Sequence, residues 1–488
     1  MAEVVEERGP SVFDECTPAQ LYAIIRDVYT RDDRPWVVGY SGGKDSTTAL
    51  QLIWAALAEL PEDERKKPVY VISSDTLVET PVIVSYIDTT LARINAAARE
   101  QKLPFEAHKV QPTVSDSFWV NLIGRGYPAP TNTFRWCTER LKIKPANKFI
   151  LDRAAEYGEV VVVLGVRKAE SATRAQVMSL HKIAGSDLSR HTSLPNAFVF
   201  TPIEDFSVND VWTYLLQVKS PWGNDNRELV TLYRNAAAGE CPLVVDNTTS
   251  SCGNSRFGCW VCTVVQKDHS MEALIENGED WMQPLLDLRD WLAATSAPAA
   301  KIKYRSFKRR TGKITLDKST GSPIPGPYKF PVRVDLLRRL LEIEAGFRRA
   351  GKEELDRLVS DDELREIRRI WRTEEQDWDD SVVRLLDGME DRDLDWEVDE
   401  YGVFSQRERD LLNETAKDAD VSSAMLAKLL DAERQWQGLS RRGGIFKEID
   451  SVLGEDWLSS EDEAGLAEKY LSVRDRATTE DTTEEPTE

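Results

Sequence analysis

The chain has 488 residues, enough for roughly two or three domains with a large buried core. Its 84 acidic residues outnumber its 63 basic ones, and the net charge of −21 argues against indiscriminate coating of nucleic acid but allows a local basic groove. Because there is no apolar run near about 18 residues and no signal-type N-terminus, we expect a cytoplasmic protein without membrane contact. The six cysteines are unevenly clustered, which favours metal or sulfur chemistry over a disulfide scaffold.

From residue 34 to 215, short apolar segments alternate with longer helical patterns. The predicted strands are Trp36–Gly39, Val69–Ser73, Phe105–Val110, Val160–Leu164 and Phe198–Pro202. Segments rich in Ala, Leu, Arg and Glu, such as Val82–Lys102 and Lys144–Tyr157, are predicted helices. Because the strands are too apolar to have one wet face and are joined by helix-length crossovers, we predict an α/β fold with a doubly wound, mostly parallel sheet.

Composition divides the chain into six predicted parts. They are an N-terminal helical segment (1–33), the α/β domain (34–218), a cysteine-rich segment (219–270), a basic and helical region (271–350), a helical C-terminal region (351–475) and a disordered acidic tail (476–488). Residues 175–197 are polar and irregular, which predicts a mobile loop within the α/β domain. Residues 333–375 and 404–472 have the pattern of amphipathic helices with many charge pairs.

A loop with the sequence Ser-Gly-Gly-Lys-Asp-Ser-Thr follows the first predicted strand and precedes an Ala/Leu-rich helix. Its glycines permit a tight turn, and the N–H groups at the positive end of the helix dipole attract phosphate. The loop is not a Walker A motif, because the Gly-x4-Gly-Lys-Ser/Thr spacing is missing. Asp45 is also a candidate metal-binding or orienting residue. The predicted phosphate-binding residues are Ser41, Gly42, Gly43, Lys44, Asp45, Ser46 and Thr47. A turn without a ligand is the alternative.

Further charged residues follow other predicted strands. Gly165 comes after the fourth strand, and Arg167 and Arg174 beyond it would neutralise charge on phosphates, with Glu170 orienting one of them. An exposed, charged helix start is the alternative. Asp75 ends the second strand and is placed to reach a ribose or a Mg²⁺ ion between phosphates, although an N-cap role accounts for it equally well. At the carboxyl edge of one sheet, these side chains would surround a single ligand.

Four cysteines lie close together in the sequence, at Cys241, Cys252, Cys259 and Cys262. The last two have Cys-x-x-Cys spacing, and glycines and polar residues flank them. This pattern predicts tetrahedral thiolate ligation of either an iron–sulfur cluster or a structural zinc ion, and the spacing does not choose between them. Unligated buried cysteines or a redox disulfide remain the alternative.

Cys137 lies apart from that cluster, among the basic residues Arg135, Arg140 and Lys142. Nearby cations lower a thiol pKa, so we expect Cys137 to be a reactive thiolate that carries a persulfide or acts as a nucleophile. A small buried structural side chain is the alternative. The three basic residues are predicted to hold phosphate groups, unless they form surface ion pairs.

Residues 301–313 contain seven basic residues and no acidic one. Basic groups interleaved with aromatic rings suit phosphate contacts and base stacking, so we predict a nucleic-acid contact here. The predicted contact residues are Lys301, Lys303, Tyr304, Arg305, Lys308, Arg309 and Arg310. A solvated basic segment that pairs with the protein's own acids is the alternative.

These motifs together resemble the phosphoadenosine phosphosulfate (PAPS) reductase branch of the ATP pyrophosphatases, which cleave ATP between its α and β phosphates. The shared features, within about residues 30–215, are Ser41–Ser46, Trp136-Cys137 with Leu141-Lys142 and Pro145, Gly165-x-Arg167 with Glu170-Ser171, and Pro202-Ile203 with Asp210-Val211-Trp212. The chain lacks both cysteine arrangements of the reductases, a catalytic C-terminal cysteine or a Cys-Cys pair with Cys-x-x-Cys. Its clustered cysteines, with Gly326-Pro327-Tyr328 and the segment 336–341, instead resemble the DNA phosphorothioation sulfurtransferases of the Dnd system, the DndC family.

The resemblance implies an adenine nucleotide α-hydrolase-like fold that binds ATP, Mg²⁺ and a [4Fe–4S] cluster. It implies an ATP pyrophosphatase that adenylylates a DNA backbone phosphate, after which sulfur from a cysteine desulfurase replaces a non-bridging oxygen. The implied partners are DNA, the desulfurase and other subunits of a DNA phosphorothioation complex. The candidate catalytic residues are Lys44, Asp45, Cys137, Arg167 and Arg174. A tRNA thiolase, an adenylyl-sulfate reductase and a non-catalytic, metal-stabilised DNA-binding scaffold are the alternatives.

Overall fold

The computed structural model describes residues 11–235, 258–352, 357–387, 396, 404–419, 421–437, 443–458 and 460–481. Residue contacts group the chain into two compact units. The first unit consists of residues 1–118 and 130–289, and the second consists of residues 119–129 and 290–488. The finer six-part division made from the sequence stays a prediction.

The first unit combines a sheet with helices. Its strands are β1 (Trp36–Gly39), β2 (Val69–Ser74), β3 (Phe105–Val110), β4 (Val160–Val163), β5 (Ser189–Arg190) and β6 (Ala197–Phe200). Its helices are α1 (Val12–Glu15), α2 (Pro18–Thr30), α3 (Lys44–Ala58), α4 (Pro81–Glu100), α5 (Lys144–Tyr157), α6 (Ala172–Leu180), α7 (Val208–Gln217), α8 (Asn226–Asn235), α9 (His269–Glu276) and the first part of α10 (Gln283–Ala294). Short 3₁₀ turns lie at Glu62–Glu64, Val114–Asp116, Lys168–Glu170 and Asp280–Met282, and a π-helical turn, Thr138–Ile143, leads into α5.

The six strands form one sheet in the order β3–β2–β1–β4–β6–β5. Neighbouring strands are parallel except for β5 and β6, which are antiparallel. The register places Val38 beside both Val71 and Val163. This topology confirms the predicted doubly wound α/β fold. Because the strand order reverses between β1 and β4, a ligand crevice is expected at the carboxyl ends of these two strands.

Alternate strand residues enter two separate cores, one on each face of the sheet. On β1, Trp36 and Val38 belong to one core together with Val71, whereas Val37 belongs to the other together with Ile72. All five side chains are at most 2% exposed. Burying an aliphatic side chain contributes about 1.5–3 kcal/mol, so both faces of these strands must be apolar.

The predicted strands agree with the structure to within two residues, but the predicted loop at 175–197 does not. Helix α6 occupies its first part, and β5 pairs with β6 at the sheet edge. The reason is that a two-residue edge strand needs only backbone pairing, and its side chains, Ser189 and Arg190, are not buried. Its sequence therefore shows no strand pattern.

The second unit is helical. Its helices are the end of α10, α11 (Pro298–Tyr304), α12 (Phe330–Arg349), α13 (Asp361–Glu374), α14 (Ser381–Leu386), α15 (Gln406–Asp418), α16 (Ser423–Trp436), α17 (Ile445–Leu453) and α18 (Ser460–Asp481). Because α18 continues to Asp481, the first residues of the predicted disordered tail are helical, as good helix formers such as Ala477 allow. In the part of the chain described, no helix is long and apolar enough to cross a membrane.

Residues 119–129 belong to the second unit although the chain on either side of them belongs to the first. They contain a π-helical turn, Val120–Gly124, that packs on α12 and α13. Leu122 and Ile123 are 0% exposed, and Trp371 Nε1 donates to Ile123 O at 3.0 Å. This segment is therefore part of the core of the second unit.

Candidate functional site

The glycine-rich loop adopts a turn that requires glycine at its second position. Gly42 has a φ of +73°, and a Cβ atom there would lie 2.5 Å from Ile87 Cδ1. Gly43 is the N-cap residue of α3, which begins at Lys44. Strand, turn and helix start thus have the arrangement that presents amide groups to an anion.

The serine hydroxyl groups of this loop form hydrogen bonds within the loop. Ser46 Oγ donates to Gly43 O at 3.1 Å and accepts from Ser41 N at 3.2 Å. The two serine contacts fix the shape of the turn. The Thr47 hydroxyl is buried without a hydrogen-bond partner among the described residues, and burial raises the pKa of the neighbouring Tyr40 phenol well above its usual value. Direct phosphate binding by the hydroxyls stays a prediction.

Four of the five predicted catalytic residues form an alternating chain of charges. Lys44 Nζ lies 2.8 Å from Asp45 Oδ2, and Arg167 Nε lies 2.5 Å from Asp45 Oδ1. Arg167 Nε is also 3.9 Å from Glu170 Oε1, and Glu170 forms an ion pair with Arg174. Lys44 and Arg167 are only 3% and 1% exposed. The structure therefore brings three cations and two carboxylates together beside the loop.

Gly165 allows this close assembly. A Cβ atom on Gly165 would lie 2.6 Å from Asp45 O and 2.9 Å from Ser46 Cα. The backbone beyond β4 therefore packs directly on the start of α3, at the point where the strand order reverses. A polyanionic ligand at this point would meet both the helix start and the arginines.

Asp75 lies just beyond β2, and its carboxylate already has protein partners. Leu77 N donates to Oδ1 and Gln111 Nε2 donates to Oδ2, each at 2.9 Å, and Lys109 Nζ lies 3.4 Å from Oδ2. Leu77 has a φ of +65°, so the Asp75 side chain stabilises a left-handed turn. A role for Asp75 towards a ribose or Mg²⁺ stays a prediction.

A second feature of the first unit is a cavity lined by Cys137, Cys259 and Cys262, which we call the thiol cavity. It encloses about 880 Å³, part of it open to solvent, and apolar side chains such as Leu141 form much of its wall. The sequence separated Cys137 from the clustered cysteines, and the fold brings them to one place. Cys241 and Cys252 lie outside the described residues.

The expected low pKa of Cys137 is wrong. Burial, and to a smaller extent the nearby charge of Cys262, raises the pKa of Cys137 to about 11, and the opposing effect of Lys142 is weaker. Of the other flanking cations, Arg140 pairs with Asp116 instead. Burial likewise raises the pKa of Cys259, and Lys142 again lowers it in part.

The two ends of the Cys-x-x-Cys segment are held by different elements. Cys259 forms a bridge to the chain beyond β2, where Trp260 N donates to Val78 O at 3.0 Å, and Cys259 Sγ lies 3.1 Å from Thr76 Oγ1. Cys262 O instead accepts from Arg289 Nε at 2.9 Å. Arg289 was not predicted from the sequence, because nothing in its local sequence marks a partner 27 residues away.

Lys142 also lines a second cavity, of about 430 Å³, at the carboxyl ends of β1 and β4. Gly39, Leu164, Asn147 and His191 contribute to its wall. Burial lowers the pKa of His191, which favours the neutral ring. One lysine thus borders both the strand ends and the thiol cavity.

Residues 35–265 match the phosphoadenosine phosphosulfate reductase domain family. This part of the chain is therefore similar to the PAPS reductase and ATP pyrophosphatase superfamily. The match supports a nucleotide-using enzyme domain and, with the loop at the end of β1, binding of an ATP-type nucleotide. The match does not distinguish the DNA phosphorothioation sulfurtransferases within the superfamily.

An uncharacterized protein of Methanocaldococcus jannaschii, MJ0066, is 26% identical to the chain over 242 residues, which are 50% of this chain and 39% of that protein. The match therefore spans well under half of the relative's length. Among solved structures, the FMN adenylyltransferase of Candida glabrata in complex with FAD and inorganic pyrophosphate is similar, with 13% identity and a TM-score of 0.25. That likeness covers 44% of this chain and 61% of the other, and it carries no argument about function.

The residues that line the thiol cavity fit a thiolate-bound metal group. Cys259 and Cys262 are two of the four predicted ligands, and soft sulfur donors in an apolar pocket suit iron–sulfur or zinc binding. Burial makes isolated thiolates unfavourable there, so a bound cation would stabilise them. Within the described residues alone, no three His, Cys, Asp or Glu side chains form a group able to hold a metal ion. The cluster stays a prediction.

Part of the basic run at 301–313 is committed to packing within the second unit. Arg305 Nε donates to Gly326 O at 2.7 Å, and Lys308 Nζ lies 2.6 Å from Glu455 Oε2 and 3.5 Å from the centre of the Trp457 ring. The basic residues of the run that are exposed are Lys303, Arg309, Arg310 and Lys313. Nucleic-acid contact by the run stays a prediction.

Proposed function

We propose that the chain uses ATP to adenylylate a backbone phosphate of DNA and then replaces one of its non-bridging oxygens by sulfur, as the DNA phosphorothioation sulfurtransferases do. The observation that carries this proposal is that the first unit holds both a glycine-rich loop of the phosphate-binding type and the thiol cavity. Lys142 lines the thiol cavity and also the second cavity, at the carboxyl ends of β1 and β4. A nucleotide site alone fits many adenylating enzymes, whereas thiols nearby favour sulfur transfer.

In the first step, a non-bridging oxygen of DNA attacks the α-phosphorus of ATP. A new P–O bond forms, the bond from the α-phosphorus to the β-phosphate oxygen breaks, and pyrophosphate leaves with that electron pair. Lys44, Arg167 and Arg174 bind the phosphates and offset the charge that develops on pyrophosphate. Asp45 and Asp75 would be the candidate ligands of a Mg²⁺ ion, which would neutralise further charge on the phosphates.

In the second step, Cys137 carries a persulfide received from a cysteine desulfurase. Its terminal sulfur attacks the phosphorus of the adenylylated DNA phosphate and forms an S–P bond. The bond from that phosphorus to the oxygen shared with AMP breaks, and AMP leaves with its electrons. A cellular thiol then attacks the Cys137 sulfur and releases the phosphorothioate, and a second thiol reduces the resulting disulfide. Lys142 is placed to stabilise the anionic forms of Cys137, since it already lowers the pKa of that thiol in part.

The test is formation of AMP and pyrophosphate from ATP, together with transfer of labelled sulfur from cysteine in the presence of a desulfurase. Lys44→Ala should abolish pyrophosphate release, because the buried Lys44 ammonium lies at the helix start. Lys182→Ala is the matched control, since Lys182 is 51% exposed and pairs with Glu204. Wild-type turnover in Lys44→Ala would exclude the loop as the ATP site.

The acceptor is tested with separate DNA and tRNA substrates. Label in DNA supports the proposal, and label in tRNA alone would replace it by a tRNA thiolase. ATP consumption without any sulfur transfer would leave a nucleotide-using enzyme of another type, and absence of both would favour the scaffold alternative.

A further inference from the structure

Arg289 is a completely buried arginine whose guanidinium group meets the Cys-x-x-Cys segment. It lies on α10 and is 0% exposed. Its Nε donates to Cys262 O at 2.9 Å, its Nη1 donates to Gln266 O at 2.8 Å, and its Nη2 donates to Val265 O. One side chain therefore binds three carbonyl groups of a single short stretch of chain.

This arrangement constrains the backbone at Cys262. The guanidinium group is planar and presents its donors in a fixed fork, so three carbonyls that bind it together have little freedom to turn. Because the Arg289 side chain is itself completely buried, a side chain without the guanidinium fork would leave these carbonyls without their shared donor. A lysine at this position would keep the charge but has no such fork.

We propose that Arg289 is a positioning residue that sets the place of the Cys262 thiol relative to Cys259 in the thiol cavity. Cys259 is anchored separately, by Thr76 and by the backbone beyond β2. The spacing of the two sulfur atoms thus depends on two anchors, and Arg289 is the one on the Cys262 side. The inference rests on the proposed thiolate site and adds to it a residue that need not touch the bound group.

The experiment compares Arg289→Lys and Arg289→Gln with the wild-type full chain. Arg289→Lys keeps the charge, and Arg289→Gln keeps two amide donors but loses the charge. Iron and zinc are counted after anaerobic purification, and release of metal to a chelator is timed. In metal-free protein, alkylation of Cys262 is measured by mass spectrometry relative to Cys16. Arg333→Lys is the control, because Arg333 is 2% exposed and donates to Gly124 O in the second unit.

We expect both Arg289 variants to lose metal about 10–100-fold faster than the wild type, as loss of a residue that supports metal ligands typically causes. Alkylation of Cys262 in metal-free protein should change while that of Cys16 does not, and Arg333→Lys should leave both readouts unaltered. Wild-type metal release and Cys262 alkylation in Arg289→Lys would overturn the proposal. Failure of both Arg289 variants to fold beside a folded Arg333→Lys would also overturn it, because a positioning role leaves the fold intact. If the wild type binds no metal, the metal part of the proposed function fails, and the alkylation still decides the role of Arg289.

Discussion

Replacing Asp45 by Asn should destabilise the start of α3, because the Asp45 carboxylate bridges two nearly buried cations. Lys44 and Arg167 are 3% and 1% exposed, and their nitrogen atoms lie 2.8 and 2.5 Å from the carboxylate oxygens. Removing one partner of a buried ion pair costs about 3–5 kcal/mol. Since Glu170 remains 3.9 Å from Arg167, we expect the lower end of that range, about 3 kcal/mol.

Hydrogen exchange of peptides from β1 and α3, followed by mass spectrometry, measures this loss. A loss of about 3 kcal/mol raises the equilibrium constant for local opening by about 100-fold, and the exchange rate rises with it. Pyrophosphate should restore more protection to Asp45→Asn than to the wild type, since its charge takes the place of the carboxylate. Asp205→Asn is the control, because the Asp205 side chain is 62% exposed. Exchange in Asp45→Asn within about threefold of the wild type would refute the reasoning.

In metal-free protein, alkylation of Cys137 should rise about tenfold per pH unit above pH 8 and level off only near pH 11, because burial raises the pKa of Cys137 to about 11. Because folding favours the neutral thiol, Cys137 stabilises the folded protein below about pH 9, and this stabilisation is lost as the pH approaches 11. An alkylation rate that levels off near pH 8.5 would contradict the raised pKa. Gly165→Ala should weaken binding of a non-hydrolysable ATP analogue at least about tenfold in titration calorimetry, because the new methyl group would lie 2.6 Å from Asp45 O. Gly346→Ala, with no atom within 4 Å of the added Cβ, is its control and should keep wild-type affinity, whereas wild-type affinity in Gly165→Ala would rule out the close packing.

The sheet and the glycine-rich turn after β1 were predictable because their signals are local. Trp36–Gly39 is apolar on both faces and is followed closely by Gly42 and Gly43, and the structure places that strand at the predicted residues. Gly165 and Arg167 follow the next strand in the sheet in the same way. Parallel strands bring their carboxyl ends to one edge, so the meeting of these residues follows from fold class alone.

The environment of the thiols was not predictable from the sequence. Three basic residues near Cys137 indicated a lowered pKa, but the cost of burial exceeds the attraction of Lys142 once the cavity wall is formed. The meeting of Cys137 with Cys259 and Cys262, and the contact of Arg289 with Cys262 O, join segments far apart in the chain. No local pattern encodes such contacts, because they depend on how the elements pack.

The packing of residues 119–129 in the second unit, away from the chain on either side of them, has a consequence for biosynthesis. Trp371 Nε1 reaches Ile123 O across 248 residues of sequence, so the partner of this segment is made long after the segment itself. At about 5–20 residues per second, the buried side chains around Ile123 wait roughly 12–50 s for α13 to emerge from the ribosome. A shortened chain that ends at Arg289 would never supply that partner, and Leu122 and Ile123 would stay exposed to solvent. Expressing the first unit alone therefore requires a polar linker in place of residues 119–129.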